Sequence, residues 1–474
     1  MQEIINRIKK SEILSEGGRS VYYFFHHYII GQYSILSKKD WSVEGINVIA
    51  DCKNNNARWY RIIEDKTFYN KELQRFIERP ALISEIIEEL DLNSKEMSLE
   101  FKDLPLNKKT NTELISFLES FGKYYLLVLR PSAIIRIIDL AIMWRLKENL
   151  SNADEVMRVG SFFDKPSYIL QEEIDLLKLF IDNKGIVKKT DLVLLLEKYA
   201  WTEQGYFNEK PKTVTSYLEK IANLSLEIAQ KRFEEIRENQ NKLRSDRDKM
   251  LSSLDEDNQT MIKLAGYSTY AKDHYKYSVN RLIYYIEPLL TEIASRLSKT
   301  VEYVKDLSPN EIEKLLKGKN VDELSIIARR NHYVSMNLDN KYLLFIGEDA
   351  DLISKEIFTT KEVRPDILKG RVASVGQARG IAKIVMNPSQ FDKVNEGDIL
   401  IVINTSPDFT PILKKVSAIV SEEGGLTAHV SVVSREMKIP AVVGVNYVTS
   451  IIKDGDLVEV DANKGIVKII KRNE

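Results

Sequence analysis

The sequence predicts a multidomain protein: a long, mostly α-helical N-terminal domain followed by a compact C-terminal α/β domain. Three observations predict it. The chain has 474 residues, whereas a single hydrophobic core stops growing at roughly 250–300 residues. Its glycines are unevenly spread, with nine of the 20 between Gly370 and Gly465 and eleven over the preceding 369 residues. The spacing of apolar residues changes at the same place, from intervals of three and four to short runs broken by glycine.

The N-terminal part is read in chain order. The opening MQEIINRIKKSEILSEGG lacks the apolar core of a signal peptide. His26 and His27 lie in the aromatic run SVYYFFHHYIIGQY, which reads as packing because aromatic stripes usually face a core. Cys52 is the single cysteine; it excludes an internal disulfide framework and fits a reducing cytoplasm. Helical spacing marks 81–90 and 191–200. The most apolar stretch, 124–144, contains Arg130, Pro131, Arg136 and Asp139, too many polar groups for a bilayer span, so it reads as a buried helix pair. From 221 to 251 the pattern is a long charged helix with Leu224, Ile228, Ile236, Leu243 and Met250 near one stripe. Ser308-Pro309-Asn310-Glu311 is a helix start, with a serine cap, proline at the first position and an acid in the first turn. The formal net charge is −1, which gives no electrostatic reason to expect nucleic acid or an anionic membrane as partner.

The C-terminal part alternates differently. Residues 370–385, 397–404, 418–425, 439–445 and 456–470 have strand character, and 429–437 has helical periodicity with Val430, Val433 and Met437 on one face. Together they make a mixed α/β unit of about 105 residues, a normal size for a domain. The run Gly424-Gly425-Leu426-Thr427-Ala428-His429 joins a strand to a helix. Two glycines there permit positive φ and let backbone N–H groups approach a ligand. A helix beginning at His429 adds free N–H groups and a dipole that favour an anion. An imidazole at such a site is largely neutral at pH 7 and able to attack phosphorus. Arg435 lies six residues on and Thr405 follows the preceding strand; a guanidinium suits bidentate phosphate binding, and the threonine hydroxyl suits the second imidazole nitrogen or a phosphate oxygen.

These motifs resemble a known family. Thr405-Ser406-Pro407-Asp408, Ala418-Ile419-Val420, the run from Glu423 to His429, and Ser434-Arg435-Glu436-Met437-Lys438-Ile439-Pro440-Ala441-Val442-Val443-Gly444 look like the swivelling phosphohistidine domain of phosphoenolpyruvate-utilising enzymes, as in phosphoenolpyruvate synthase, pyruvate phosphate dikinase and rifampicin phosphotransferase. The resemblance implies that His429 is phosphorylated, with Arg435 and Thr405 in the catalytic group and Gly424, Gly425 and Thr427 at the phosphate. Thr427 stands where some relatives carry a regulatory phosphothreonine. Ser431 and Ser434 depart from the family's usual alanines and are small enough to preserve the packing.

The resemblance also implies a division of labour. Residues 1–369 show neither a Gly-rich phosphate loop nor the strand pattern of an ATP-grasp fold, and no pyruvate-binding barrel follows the swivel. The expectation is therefore a phosphotransferase subunit, cytoplasmic, whose Mg2+ and ATP bind a separate ATP-grasp partner rather than this chain. Residues 1–355 are expected to bind a small-molecule acceptor, 356–370 to be a hinge and 371–474 to be the swivel. Acceptor-site candidates are His274, Lys272 and Arg281, where a tyrosine-rich helix supplies charge and stacking surface. His332 beside Arg329 and Arg330 is positioned either to meet phosphate or to anchor the linker. The alternative reading is a non-catalytic regulatory or binding module phosphorylated on His429.

Overall fold

The computed structural model describes residues 1–31, 47–202, 211–358, 365–405, 409–423, 425–426 and 428–473. The chain forms two compact units, each assembled from separated stretches. The first takes Met1–Lys71, Glu88–Arg136 and Arg281–Pro365; the second takes Glu72–Ile87, Ile137–Asn280 and Asp366–Glu474. The division does not follow the boundary expected at 355.

The first unit contains a sheet that the helical reading of residues 1–355 missed. Strands β1 (Glu12–Ser20), β2 (Asn47–Lys53), β3 (Asn56–Ile63), β4 (His332–Leu338) and β5 (Lys341–Ile346) pair antiparallel in the order β1-β3-β2-β4-β5. Both of its tight hairpins carry a local signal. Asn54 and Asn55 turn at φ +49° and +60°, and Asp339 and Asn340 at φ +51° and +61°, the left-handed pairs that two-residue hairpins require and that Asn and Asp tolerate. The β2–β4 pairing joins Cys52 to Tyr333, and no local pattern announces a partner so distant in sequence. His332 opens β4 and lies between two carboxylates, with Nε2 2.7 Å from Asp51 and Nδ1 2.6 Å from Asp351. It anchors the helix Glu348–Phe358 to the sheet. Arg329 is likewise engaged, donating to Glu311 and to the Asp306 carbonyl at 2.8 Å. His26 is a core group: its Nε2 accepts from Trp59 at 3.1 Å, and burial lowers its pKa to about 3.

Two helix expectations are corrected. The stretch 124–144 belongs to one helix, Asn111–Asn149, and not to a pair. Pro131 lies inside it; proline removes one backbone hydrogen bond, which bends a helix without ending it where tertiary packing holds both sides. The charged helix begins at Leu226 and runs to Ser252, capped by Ser225, whose Oγ accepts from Ile228 N at 3.1 Å. Ile221 belongs to the preceding helix, Val214–Ala222. The long helix packs on Ala153–Gly160 and Tyr168–Asp182, with Ala229 and Ile236 in one buried cluster with Leu170, Leu177 and Phe180; Ile228, expected on the same stripe, is exposed. The expected start at Ser308 forms with a complete capping box. Among the described residues no helix is long and apolar enough to cross a membrane.

The second unit combines these helices with an eight-stranded sheet. Its strands are β6 (Ile367–Lys369), β7 (Arg371–Ser374), β8 (Gln377–Ile384), β9 (Ile399–Val402), β10 (Ala418–Ser421), β11 (Ala441–Val443), β12 (Leu457–Asp461) and β13 (Ile466–Lys471), in the order β6-β13-β12-β8-β9-β10-β11-β7. From β8 to β11 the pairing is parallel. Close approach explains part of the glycine density. A Cβ on Gly380 would lie 2.4 Å from the Gly397 carbonyl oxygen, and one on Gly370 would lie 2.6 Å from that of Val443. The stretch 356–370, expected to be a hinge, is described only in part. Residues up to Phe358 are helical and Ile367–Lys369 is a strand of the sheet, while 359–364 lie outside the described residues.

The helices of the second unit meet at a buried polar cluster. Lys212 Nζ donates to both Glu172 oxygens, at 2.5 and 2.7 Å, and Tyr217 OH and Thr202 Oγ1 donate to the same carboxylate, each at 2.9 Å. Replacing Lys212 removes the buried cation of this carboxylate and leaves only Lys220, exposed and 3.9 Å away. Lys212→Met is therefore expected to destabilise this unit by about 3–5 kcal/mol, read as an earlier urea transition, with Glu172→Gln in the Met background recovering part of the loss.

Candidate functional site

The site is built by two neighbouring parallel strands. In β9 and β10 all eight residues are buried, with Ile399 opposite Ala418 and Val402 opposite Ser421. Backbone bonds extend the pairing one step further, from Glu422 N to Val402 O at 3.1 Å and from Glu423 N to Ile403 O at 2.8 Å. Parallel neighbours deliver their C-terminal ends to one edge, the place where α/β sheets bind ligands. Thr405 emerges from β9 and the histidine loop from β10. Thr405 Oγ1 and His429 Nδ1 lie 3.1 Å apart, and both residues are buried.

His429 is the first residue of the helix His429–Met437, and its cap residue Ala428 makes no side-chain hydrogen bond. The helix therefore offers its amide end and positive dipole beside the imidazole. Three bonds brace the loop in front of it: Ala428 N to Gly425 O at 3.0 Å, Ser431 Oγ to Gly425 O at 2.8 Å, and an Arg435 guanidinium N–H to Leu426 O at 3.0 Å. Arg435 is buried, and that burial lowers its pKa to about 10; it stays a cation at neutral pH. Gly425 lies outside the left-handed region, and a Cβ there would meet Ala428 at 3.4 Å, so the expected positive φ does not apply to it. Gly424 and Thr427, the other expected phosphate-loop residues, lie outside the described residues.

The helical part of the same unit touches this domain at several polar points. Lys276 Nζ donates to Thr405 O at 3.2 Å, and Asn239 Nδ2 donates to Glu436 O at 3.2 Å. The Glu436 carboxylate accepts from Ser167 N at 3.1 Å and from Ser167 Oγ at 2.5 Å.

The acceptor-site candidates all lie on the helix Glu256–Leu297. Lys272 is in an ion pair with Asp139 inside the helical packing. His274 is buried between Tyr168 and Tyr270, its Nδ1 3.0 Å from Tyr168 OH. Arg281 is on the same helix but falls in the first unit. Sequence reasoning read Lys276 only as positive charge beside His274, not as a partner of Thr405, and it missed Ser167 and the hydroxyl of Ser431. Ser431 was read only as a small residue; its place two residues into the helix is the signal that its Oγ can turn back to the loop.

A family match covers the same region. Residues 394–465 match the family described as PEP-utilising enzyme, mobile domain. A probable phosphoenolpyruvate synthase of Archaeoglobus fulgidus is 47% identical over 111 residues, 23% of this chain and 15% of the relative. One from Methanothermobacter thermautotrophicus is 35% identical over 176 residues, 35% of this chain and 26% of the relative. The rifampicin phosphotransferase of Bacillus subtilis is 26% identical over 276 residues, 56% of this chain and 31% of the relative. This chain thus spans less than a third of the length of each of these three relatives. The similarity to a family is thus that of one region: residues 394–465 match the mobile domain of PEP-utilising enzymes.

Proposed function

We propose that the chain is a phosphotransferase subunit in which His429 carries a phosphoryl group from a nucleotide-binding partner to a small-molecule acceptor. The observation that supports this most directly is the contact of Thr405 Oγ1 with His429 Nδ1 at the amide end of a helix. With Nδ1–H donating to Thr405, the lone pair lies on Nε2, the nitrogen that attacks. In the charging step Nε2 forms a bond to phosphorus while the P–O bond to the donor breaks, and the departing oxygen takes the electron pair. In the second step an acceptor hydroxyl attacks phosphorus, its proton passes to a base, and the N–P pair returns to Nε2. Both steps depend on positioning and charge neutralisation. The helix amides and Arg435 serve the second need, and the Arg435 and Ser431 braces serve the first.

Mg·ATP is assigned to an ATP-grasp partner subunit, and the acceptor to the helical region, with His274, Lys272 and Arg281 as its proposed contacts. The similarity to rifampicin phosphotransferase, which extends well beyond the mobile domain, favours a hydroxyl compound of natural-product type. Thr427 and the glycines are proposed to meet the phosphate.

Two outcomes are expected. With the co-purified partner and labelled Mg·ATP, acid-labile, base-stable label should appear on the chain and vanish in His429→Ala; label surviving that substitution would sink the assignment. Thr405→Val should slow charging roughly tenfold, the worth of about 1.4 kcal/mol for a hydrogen bond that fixes the tautomer, as read by rapid-quench labelling.

Calorimetry supplies a separate check. The isolated chain should bind ATP no tighter than roughly millimolar, and a micromolar Kd would place a nucleotide site on this chain and displace the partner from the mechanism.

A further inference from the structure

The residue after Arg435 has no part in the transfer steps, yet its surroundings are specific. The Glu436 carboxylate takes both the backbone N–H and the hydroxyl of Ser167, the cap residue of the helix Tyr168–Asp182. The next amide of that helix, Tyr168 N, donates at 3.1 Å to Asp273, which comes from the helix Glu256–Leu297. Two consecutive amides at one helix start are thus filled by carboxylates from two different elements. Both carboxylates line one cleft, together with Arg435, Lys165 and Tyr270. Neither forms an ion pair among the described residues. Two carboxylates in a shared, poorly hydrated site cannot both ionise freely.

We propose that Glu436 and Asp273 form a proton-dependent latch that seats the histidine-bearing domain on the helical part of its unit, holding one proton between them in the docked state. The proposal rests on the reading above in taking this domain to move between sites. Glu436 is its positioning residue, and Asn239, which donates to the Glu436 carbonyl, is the neutral second anchor.

The groups facing the pair fix the sign. Burial and Glu436 raise the Asp273 pKa to about 7, opposed by the Tyr168 amide and Lys276. Burial raises that of Glu436, opposed by the bonds from Ser167 and by Arg435, while Glu173 adds to the rise. Undocking returns Glu436 to water, where a glutamate titrates near about 4.3. Docking therefore takes up a proton. Its stabilisation is complete below the ordinary carboxylate range and is lost as pH rises through the raised pKa values, that of Asp273 lying at about 7.

Hydrogen exchange on the full chain tests this, with protection factors corrected for intrinsic rates between pH 6 and pH 8.5. Protection of 429–437 and of the amides of Ser167 and Tyr168 should fall together by roughly tenfold over that range. Glu436→Gln keeps an acceptor for Ser167 and removes the charge; it should remain protected at pH 8.5. Glu436→Ala should lose protection at both pH values. A flat wild-type profile that Glu436→Gln reproduces, or unchanged protection in Glu436→Ala, would overturn the latch. The measurement needs no phosphoryl donor, so failure of His429 to accept label would remove the carrier function and leave this result standing, and the reverse also holds.

Discussion

Everything at the site depends on the parallel pairing of β9 with β10. Ile399–Val402 and Ala418–Ser421 are buried along their whole length, and a strand buried on both faces has one register that keeps its apolar side chains covered. That register places the ends of the two strands side by side. Thr405 and His429, 24 residues apart in sequence, meet there because the strands that carry them cannot slide. The imidazole is oriented by the sheet and presented by the helix, and neither element alone would do both.

Rigidity around the histidine is local. Ser431 and Arg435 project from the first two turns of the helix that His429 begins, and both return to carbonyls of the loop just before it. Loop, imidazole and helix start therefore form one braced piece. The contacts that join this piece to the surrounding helices are of another kind. Lys276 and Asn239 make single polar bonds, to the Thr405 and Glu436 carbonyls, and Ser167 makes two to the Glu436 carboxylate. Polar contacts can be exchanged for water at modest cost, whereas apolar burial cannot. A braced site with a polar docking surface suits the carrier role proposed for this domain.

Much of this C-terminal domain was legible. Its strands and its helix follow from alternation, glycine spacing and a 3.6-residue period, all properties of neighbouring residues. Glycine density had a tertiary cause as well, since Gly370 and Gly380 are places where another segment's carbonyl comes too close for a side chain. The N-terminal sheet was not read, although Asn54-Asn55 and Asp339-Asn340 mark its hairpins. Helical periodicity dominated the long stretch between, and strands separated by nearly the whole region carry no local sign of each other. Pro131 misled in the opposite direction, because a break in propensity is not a break in structure when packing holds both sides of it.

The sequence by itself determined which residue types stand at the histidine loop, the order of strands and helix around them, and the capped starts of several helices, because these depend on side chains within a few positions of one another. Tertiary structure alone decided that Thr405 reaches Nδ1, that Arg435 and Ser431 brace the loop, that Lys272 is spent on Asp139 and that Glu436 shares a helix start with Asp273. Each is a meeting of groups from different elements, fixed by sheet register and helix packing, and a linear pattern holds no measure of the distance between them.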